Sequence, residues 1–195
     1  MAFLIGTPFF VVMENKDRQI CSALAAKAYR EAFDLLVAAY GERMYWQIRR
    51  LVFSHDDADD ILQDCYLKVW RALPKFRSES GIYTWLYRIV TNESLNFLRR
   101  EKFLSKFSSV DAETAALRKI DEDPYFNGDK LQRELYKCIA RLPAKQRLVF
   151  EMRYFDEVEY REMSRMLGTS EGALKASYHI AYTKIKDELK GLLEE

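Results

Sequence analysis

The stretch from Asp57 to Phe76 constrains the fold more than any other part of the sequence. Its apolar residues recur every three or four positions and form one stripe: Ala58, Ile61, Leu62, Cys65, Val69, Leu73 and Phe76. That period is typical of an amphipathic helix with one face on a core, and Pro74 suits its end. Only 7 Gly and 4 Pro occur in 195 residues, too few for a turn-rich β fold. We therefore predict an all-α fold class.

The chain divides into two helical parts, with a segment of different composition between them. Helical spacing of apolar residues runs from about Asp17 to Arg100 and returns from Leu131 onward. The intervening segment is charged, rich in Ser and Ala, and contains Pro, Asn and Gly, which is typical of a linker. Within it, a transient helix is predicted only around Ala112–Leu117. The sequence thus predicts two small helical domains, 25–102 and 131–192, joined by a flexible linker, 103–130.

Residues 1–24 are predicted to be an N-terminal extension. The opening MAFLIGTPFFVV is apolar but short, with no basic start and no small-residue cleavage site, so we reject a signal peptide. No apolar run in the sequence reaches the length of a membrane span. Because Met13 is followed by a polar, helix-forming sequence, a true start at Met13 is a hypothesis. Three widely spaced cysteines favour small core residues in a reducing cytoplasm over disulfides or zinc ligands.

Near the C-terminus, a short amphipathic helix, a glycine and a second helix follow one another. Tyr160–Leu167 has helical spacing, Gly168 suits a left-handed turn, and Ser170 is a good N-cap. The second helix has a polar outer face: Glu171, Lys175, His179, Tyr182 and Lys186. The pattern indicates a helix-turn-helix whose second helix enters the major groove of DNA, where small residues permit close approach. An ordinary helical hairpin in a bundle is the alternative.

A helix beginning near Thr84 has a second polar face of different chemistry. It combines one aromatic ring with cations and amides: Trp85, Arg88, Asn92, Asn96 and Arg99. Rings can stack on unpaired bases while Arg and Asn bond to them, so this face suits single-stranded or melted nucleic acid. The alternative is that Trp85 and Tyr83 are packing residues.

The helix from Asp57 carries acidic residues at spacings of three and four, namely Asp57, Asp60 and Asp64. Such spacing also occurs in metal-binding helices, but no histidine or second carboxylate helix completes a ligand set. Like charges gathered on one face cost a few tenths of a kcal/mol. A basic protein surface is a physical reason to gather them, and DNA is excluded as the partner by its charge.

Two blocks of sequence, in this order, resemble the extracytoplasmic-function sigma factors. The first is DDADDILQDCYLKVWRALPKF continued by FRSESGIYTWLYRIVTNESLNFLRR, and the second is RLPAKQRLVFEMRYFDEVEYREMSRMLGTSEGALKASYHIAYTKIKDEL. The resemblance extends from about Tyr29 to Leu189, apart from the linker. It implies a region 2 helical bundle and a region 4 helix-turn-helix. The linker is too short to resemble the central domain of housekeeping sigma factors.

The resemblance also implies three groups of functional residues. The residues implied to bind core RNA polymerase are Asp57, Asp60, Gln63, Asp64, Leu67 and Trp70. Those implied to open and read the minus-ten element are Arg77, Tyr83, Trp85, Arg88, Asn92, Asn96 and Arg99. The residues of the helix-turn-helix implied to contact the minus-thirty-five element are Tyr160, Ser170, Glu171, Gly172, Lys175, Ser177 and His179. Many relatives carry arginines where this chain has Ser177 and Ile180, which weakens the expected phosphate contacts.

The expected function is therefore that of a non-enzymatic subunit that directs core RNA polymerase to promoters. By resemblance, its partners are the β′ clamp helices and the β flap of the polymerase, promoter DNA both duplex and melted, and an anti-sigma factor. No cofactor or metal is expected, and the predicted location is the cytoplasm and nucleoid, with an anti-sigma factor as an anchor at the inner membrane. Two alternatives stay open, a stand-alone dimeric helix-turn-helix regulator and a helical metalloprotein or enzyme that uses the aspartates.

Overall fold

The computed structural model describes residues 9–77, 80–107, 110–126 and 129–193, with side chains within residues 16–191. Over this part the chain forms nine α-helices, one 3₁₀ turn (Leu73–Lys75) and no β-strand. The helices are α1 (Phe9–Ala25), α2 (Tyr29–Val52), α3 (His55–Ala72), α4 (Ile82–Ser105), α5 (Ala112–Glu122), α6 (Lys130–Arg141), α7 (Ala144–Tyr154), α8 (Tyr160–Leu167) and α9 (Glu171–Leu193). The predicted all-α fold class is confirmed.

Helices α1 to α4 form the first bundle, with α3 packed across α2 and α4. Five members of the predicted stripe are buried, namely Ala58, Ile61, Cys65, Val69 and Leu73, while Leu62 and Phe76 are half-buried. Ser54 begins the helix, because its Oγ accepts a hydrogen bond from the Asp57 N–H at 3.2 Å. Helices α2 and α3 approach closely at Gly41, where a Cβ would lie 2.6 Å from the Tyr66 hydroxyl. A side chain at position 41 would therefore displace the Tyr66 ring.

Helix α1 packs on α2, so part of the predicted N-terminal extension belongs to the first bundle. Ile20 and Ala23 of α1 are buried, and the Tyr40 hydroxyl of α2 donates a hydrogen bond to Asp17. Residues 1–8, which include most of the apolar opening, lie outside the described residues, as do the side chains up to residue 15. The hypothesis about Met13 stays a prediction.

Helices α6 to α9 form the second bundle around a core rich in aromatic rings. The buried side chains of this core include Tyr136, Ile139, Leu142, Phe150, Ala181 and Ile185. Pro143 precedes the first turn of α7, as its fixed φ and missing N–H favour. The ring of Phe150 stacks on Tyr178 of α9, with 5.8 Å between centroids. This contact joins α7 to α9, the last and longest helix of the second bundle.

The segment between the bundles carries more structure than its composition indicates. Helix α5 extends past the predicted Ala112–Leu117, beginning after Asp111, whose carboxylate accepts bonds from the N–H groups of Glu113 and Thr114. Ile120 and Phe126 are completely buried. Residues 108–109 and 127–128, on either side, lie outside the described part of the chain. Part of the predicted linker therefore packs against the protein, through Ile120 and Phe126.

Phe126 connects the two bundles. Its ring meets Phe53 at the end of α2 edge-on at 5.4 Å and Tyr136 of α6 at 4.6 Å. The Arg49 guanidinium lies 4.5 Å from the ring centroid of Phe126 and pairs with Asp123. One residue of the intervening segment thus contacts helices from both sides.

Candidate nucleic-acid and protein interfaces

The outer face of α3 combines carboxylates with large apolar side chains. Five residues of this acidic face are exposed: Asp60, Gln63, Asp64, Leu67 and Trp70. Leu67 is 53% and Trp70 46% exposed, which is unusual for side chains of this size. Phe33 of α2 meets the Trp70 ring edge-on at 5.5 Å and so limits its orientations. The acidic face therefore suits a protein surface that offers both cations and an apolar contact.

Asp57 does not share this exposure, although sequence reasoning grouped it with Asp60 and Asp64. Lys119 Nζ of α5 lies 2.8 Å from the Asp57 carboxylate and 2.8 Å from that of Glu101 on α4. The lysine therefore bridges α3 and α4, and Asp57 already has a cationic partner within the chain.

The outer face of α4 carries cations and amides. Its four exposed residues, here called the α4 face, are Arg88, Asn92, Asn96 and Arg99. Arg99 donates a hydrogen bond to Asn96, which orders both side chains along the helix. Trp85 is half-buried, and its ring packs on Phe76 at 4.9 Å between centroids. The arrangement offers donors, acceptors and one partly exposed ring on one side of a rigid helix, as predicted from the spacing.

Tyr83 lies inward, unlike the α4 face with which it was grouped. Its ring stacks on Tyr40 at 6.1 Å, the Arg43 guanidinium lies 4.4 Å from its centroid, and burial raises the pKa of its hydroxyl. The physical reason is helical periodicity, because Tyr83 precedes Leu86 and Val90 by three and seven positions and shares their buried face. Arg77, by contrast, is exposed, and residues 78–79 that follow it lie outside the described residues.

Helices α8 and α9 have the helix-turn-helix geometry that the sequence predicted. Gly168 ends α8 with φ 63°, in the left-handed region that favours glycine, and its N–H bonds to the Ser164 carbonyl. Ser170 Oγ accepts a bond from the Ala173 N–H at 3.3 Å and caps α9. Beyond the cap, four predicted contact residues are exposed on the first turns of α9: Glu171, Gly172, Lys175 and His179. Lys175 lies 3.9 Å from Glu171.

Tyr160 and Ser177 are less accessible than the other predicted contact residues. The Tyr160 ring is half-buried, with the Arg153 guanidinium 5.3 Å and Lys175 Nζ 5.7 Å from its centroid. Ser177 lines a groove of about 290 Å³ between the two bundles. Arg88 and Asn92 line the opposite side of that groove. The structure therefore brings the α4 face and the helix-turn-helix together.

Direct bonds cross between α4 and α8. Thr84 Oγ1 donates to Glu162 Oε1 at 2.7 Å, and Arg88 donates to the backbone carbonyl of Arg165. Thr84 is almost fully buried by this contact, with 7% of its surface exposed. The partners in each pair are far apart in sequence, so no local pattern predicts these bonds.

Deeper in the interface, charged groups of α2 and α7 are buried against one another. Arg50 Nε lies 3.1 Å from Glu151, and the same guanidinium pairs with Asp156. Burial raises the pKa of the Glu151 carboxyl to about 8, although Arg50 opposes the rise. Arg147 of α7 donates a hydrogen bond to the Leu51 carbonyl of α2 at 2.8 Å. Burial lowers the pKa of the Arg147 guanidinium to about 10. Sequence reasoning missed this network because its partners lie up to 106 positions apart.

Comparison with known families decides what these interfaces belong to. Residues 36–103 match the family model of sigma-70 region 2, and residues 132–185 match that of sigma-70 region 4. The first match contains the acidic face and the α4 face, and the second contains α8 and most of α9. The chain belongs to the sigma-70 family of sigma factors. Its function is that of a sigma factor.

Whole-chain relatives agree with these regional matches. The sigma factor is 28% identical over 193 residues to the RNA polymerase sigma-H factor of Pseudomonas aeruginosa, which covers 95% of this chain and 100% of that protein. It is also 28% identical over 188 residues to the ECF RNA polymerase sigma-E factor of Escherichia coli K12, with 92% and 98% of the two chains covered. The similarity therefore extends through α5, which lies between the two regional matches.

Two solved structures share the fold. One is CnrH in complex with the cytosolic domain of CnrY, at 23% identity and a TM-score of 0.63, covering 90% of this chain and 98% of that one. The other is the sigma factor RpoE in complex with the anti-sigma factor NepR from Bartonella quintana, at 22% identity and a TM-score of 0.65, covering 81% and 96%. The predicted fold of two helical domains is confirmed by this likeness.

Two further properties concern the alternatives raised by the sequence. Among the described residues, no three or more His, Cys, Asp or Glu side chains converge as a set of metal ligands. No helix in the described ranges combines the length and the apolar character that a membrane span requires.

Proposed function

We propose that this sigma factor docks on core RNA polymerase through the acidic face of α3 and reads promoters with the α4 face and the first turns of α9. The observation that carries the proposal is the separation of charge between neighbouring helices. The exposed face of α3 offers carboxylates beside Leu67 and Trp70, whereas that of α4 offers two arginines and two asparagines. Carboxylates repel phosphate, while cations and amides bind it and the base edges, so each face has one suitable class of partner.

Promoter opening needs no chemistry from the protein in this proposal. The α4 face would hold bases of the displaced strand by hydrogen bonds and by stacking on Trp85, and binding energy would drive strand separation. Arg77 and the α4 face bind the strand, while Tyr83 supports α4 from within. The protein is accordingly proposed to be non-enzymatic and to use no cofactor. Transcription in vitro with core polymerase on a promoter library tests this function, and unchanged start-site choice on adding the protein would refute it.

The polymerase contact is tested by Asp60→Lys combined with Asp64→Lys. Both carboxylates are exposed and make no ion pair that helps the fold, so the variant should fold normally but lose affinity for core polymerase at least tenfold. The matched control is Asp34→Lys with Glu42→Lys, which makes the same change in net charge on exposed positions of α2. Affinity measured by fluorescence anisotropy should fall only for the α3 variant. Equal losses for both would mean that net charge, and not this face, controls docking.

Helix α9 is proposed to contact the minus-thirty-five element with Ser170, Glu171, Gly172, Lys175 and His179. Lys175→Ala should weaken duplex binding by the holoenzyme and reduce the slope of log affinity against log salt by about 1, because one phosphate contact is lost. Lys190→Ala is the control, since Lys190 is exposed on the same helix about 22 Å further along. Slopes that change equally for the two variants would contradict the assignment.

Restraint by an anti-sigma factor is also proposed, since one of the structural relatives described above, RpoE, was solved in complex with the anti-sigma factor NepR. The proposed location is the cytoplasm and nucleoid, with the anti-sigma factor as an anchor at the inner membrane. Gel shifts with and without core polymerase separate this function from that of a stand-alone regulator. A regulator would shift promoter duplex without the polymerase.

A further inference from the structure

Two phenylalanine rings at the end of α4 are exposed to solvent. Phe103 is 58% and Phe107 78% exposed, and the two rings meet edge-on with 5.4 Å between their centroids. Phe97, earlier on the same helix, is half-buried and packs against the core. A pair of large apolar side chains left in water is informative, because burial would have stabilised the fold. A binding partner is a physical reason to expose them.

Helical periodicity places both rings in line with the α4 face. Phe103 lies four positions after Arg99 and seven after Asn96, spacings that keep the three side chains on one side of a helix. The Phe107 N–H bonds to the Leu104 carbonyl at 3.0 Å, so the chain makes one more turn beyond Phe103. From Asn96 to Phe107 is about 16 Å of helix, the length of about five stacked nucleotides. The α4 face thus leads without a break into the two rings.

The end of α4 is also strongly cationic. Between residues 99 and 107, four exposed cations stand against one carboxylate, in a chain whose net charge is +1. The carboxylate is Glu101, which already pairs with Lys119 of α5. The cations are Arg99, Arg100, Lys102 and Lys106. Cations suit the negative end of a helix, but that does not account for the rings between them. Rings interleaved with cations suit single-stranded nucleic acid, because they bind its unpaired bases and its phosphates together.

We propose that Phe103 and Phe107 form a stacking platform for unpaired bases of the opened promoter, next to the bases held by the α4 face. The cations at the end of α4 bind the phosphates of the same strand. This inference rests on the proposed role of the α4 face in DNA binding and extends that site by two turns of helix. The platform helps to keep the strands apart, because a base stacked on a ring cannot pair at the same time.

The test compares the two rings with a control one position away. Phe103→Ala with Phe107→Ala removes both rings. Leu104→Ala is the matched control, since Leu104 is also 58% exposed but lies about 100° around the helix from Phe103. The probe is fluorescein-labelled single-stranded DNA of mixed sequence, titrated with holoenzyme made from each variant, with core polymerase alone as the background. A single stack of a base on a ring changes affinity about fivefold or more. The double variant should therefore bind at least tenfold more weakly, and Leu104→Ala should bind like the wild type.

Conservative replacements identify the kind of contact. Phe103→Tyr with Phe107→Tyr keeps both rings and should keep the affinity, whereas Phe103→Leu with Phe107→Leu keeps apolar side chains without rings and should lose it. None of these changes alters a charge, so the slope of log affinity against log salt should stay the same. Lys106→Ala should instead reduce that slope by about 0.7, the value for one phosphate contact on a single strand.

The other outcomes overturn the inference in distinguishable ways. Full affinity without the rings, together with a loss for Asn92→Ala with Asn96→Ala, would refute the platform while the α4 face stands. If neither double variant loses affinity, the proposed role of the α4 face is wrong and the inference falls with it. Leucine variants that bind as well as tyrosine variants would exclude stacking. A loss of affinity for core polymerase in place of DNA would show that the rings dock on protein. Circular dichroism should show unchanged helix content, since both rings are exposed.

Discussion

Replacing Phe126 by alanine tests whether the segment between the domains is part of the folded structure. The Phe126 ring is completely buried although it lies among Asp, Pro, Tyr and Asn residues. Its truncation removes two edge-on ring contacts, with Phe53 at 5.4 Å and with Tyr136 at 4.6 Å. It also removes the ring beneath the Arg49 guanidinium. We expect a large loss of stability from a single substitution in a segment of linker-like composition.

The magnitude follows from burial and from the position of the ring. Truncating a buried Phe to Ala costs about 3–5 kcal/mol, which includes the loss of ring contacts and the cavity. The chain next to Phe126 is at the surface, so the cavity can collapse in part, and the loss should be about 3–4 kcal/mol. With a urea m-value of about 2 kcal/mol per molar, the unfolding midpoint should fall by about 1.5–2 M. Amides of α5 should also exchange faster in the variant.

Phe107→Ala is the matched control. Phe107 lies before α5 and Phe126 after it, but Phe107 is 78% exposed. Its free energy of unfolding should change by no more than about 0.5 kcal/mol. Equal midpoints for Phe126→Ala and Phe107→Ala would refute the reasoning, since the segment would then contribute nothing to the folded state.

The remaining predictions concern a turn and a buried carboxyl. Gly168→Ala should destabilise the helix-turn-helix by about 1 kcal/mol, because Gly168 has φ 63°. Gly172→Ala lies within α9, where no atom crowds the new Cβ, and should stabilise it by about 0.5–1 kcal/mol. Melting temperatures that shift in the same direction for both variants would contradict this. Burial raises the pKa of Glu151 from 4.5 to about 8, so the folded state keeps a proton that the unfolded chain releases. Stability should therefore fall as pH rises from about 4.5 to 8, by at most about 1.4 kcal/mol per pH unit. Glu151→Gln should flatten this profile, and parallel urea titrations of both proteins check it.

The helices could be predicted because their signals are local. The stripe on α3, the cap at Ser170 and the glycine at position 168 depend on residues within a few positions of each other. The same period also predicts that Tyr83 is buried, because it shares the spacing of Leu86 and Val90. Its aromatic character instead suggested a base contact. For residues in the first turn of a helix, periodicity is the better guide.

The contacts between the two bundles and the segment that joins them could not be predicted, because their signals are not local. Arg50 and Asp156 are separated by 106 positions, and Lys119 and Asp57 by 62. No propensity or periodicity relates residues so far apart. Phe126 is a similar case, since turn residues surround it and its burial depends on helices from both domains. Composition predicts a linker over residues 103–130, yet α5 forms within that segment, and composition does not show what a single ring there contacts.

Helix α9 is 23 residues long, or about 34 Å, and it is one rigid rod. Its first turns carry the proposed minus-thirty-five contacts, while Ala181 and Ile185 further along are locked in the second bundle. Lengthening the spacer between two promoter elements by one base pair turns them by about 34° and separates them by about 3.4 Å. The reading end of such a rod cannot tilt to follow without unpacking its other end. Tolerance for spacer length must therefore reside in the chain that joins the two domains, and swapping that segment between relatives would transfer the preference.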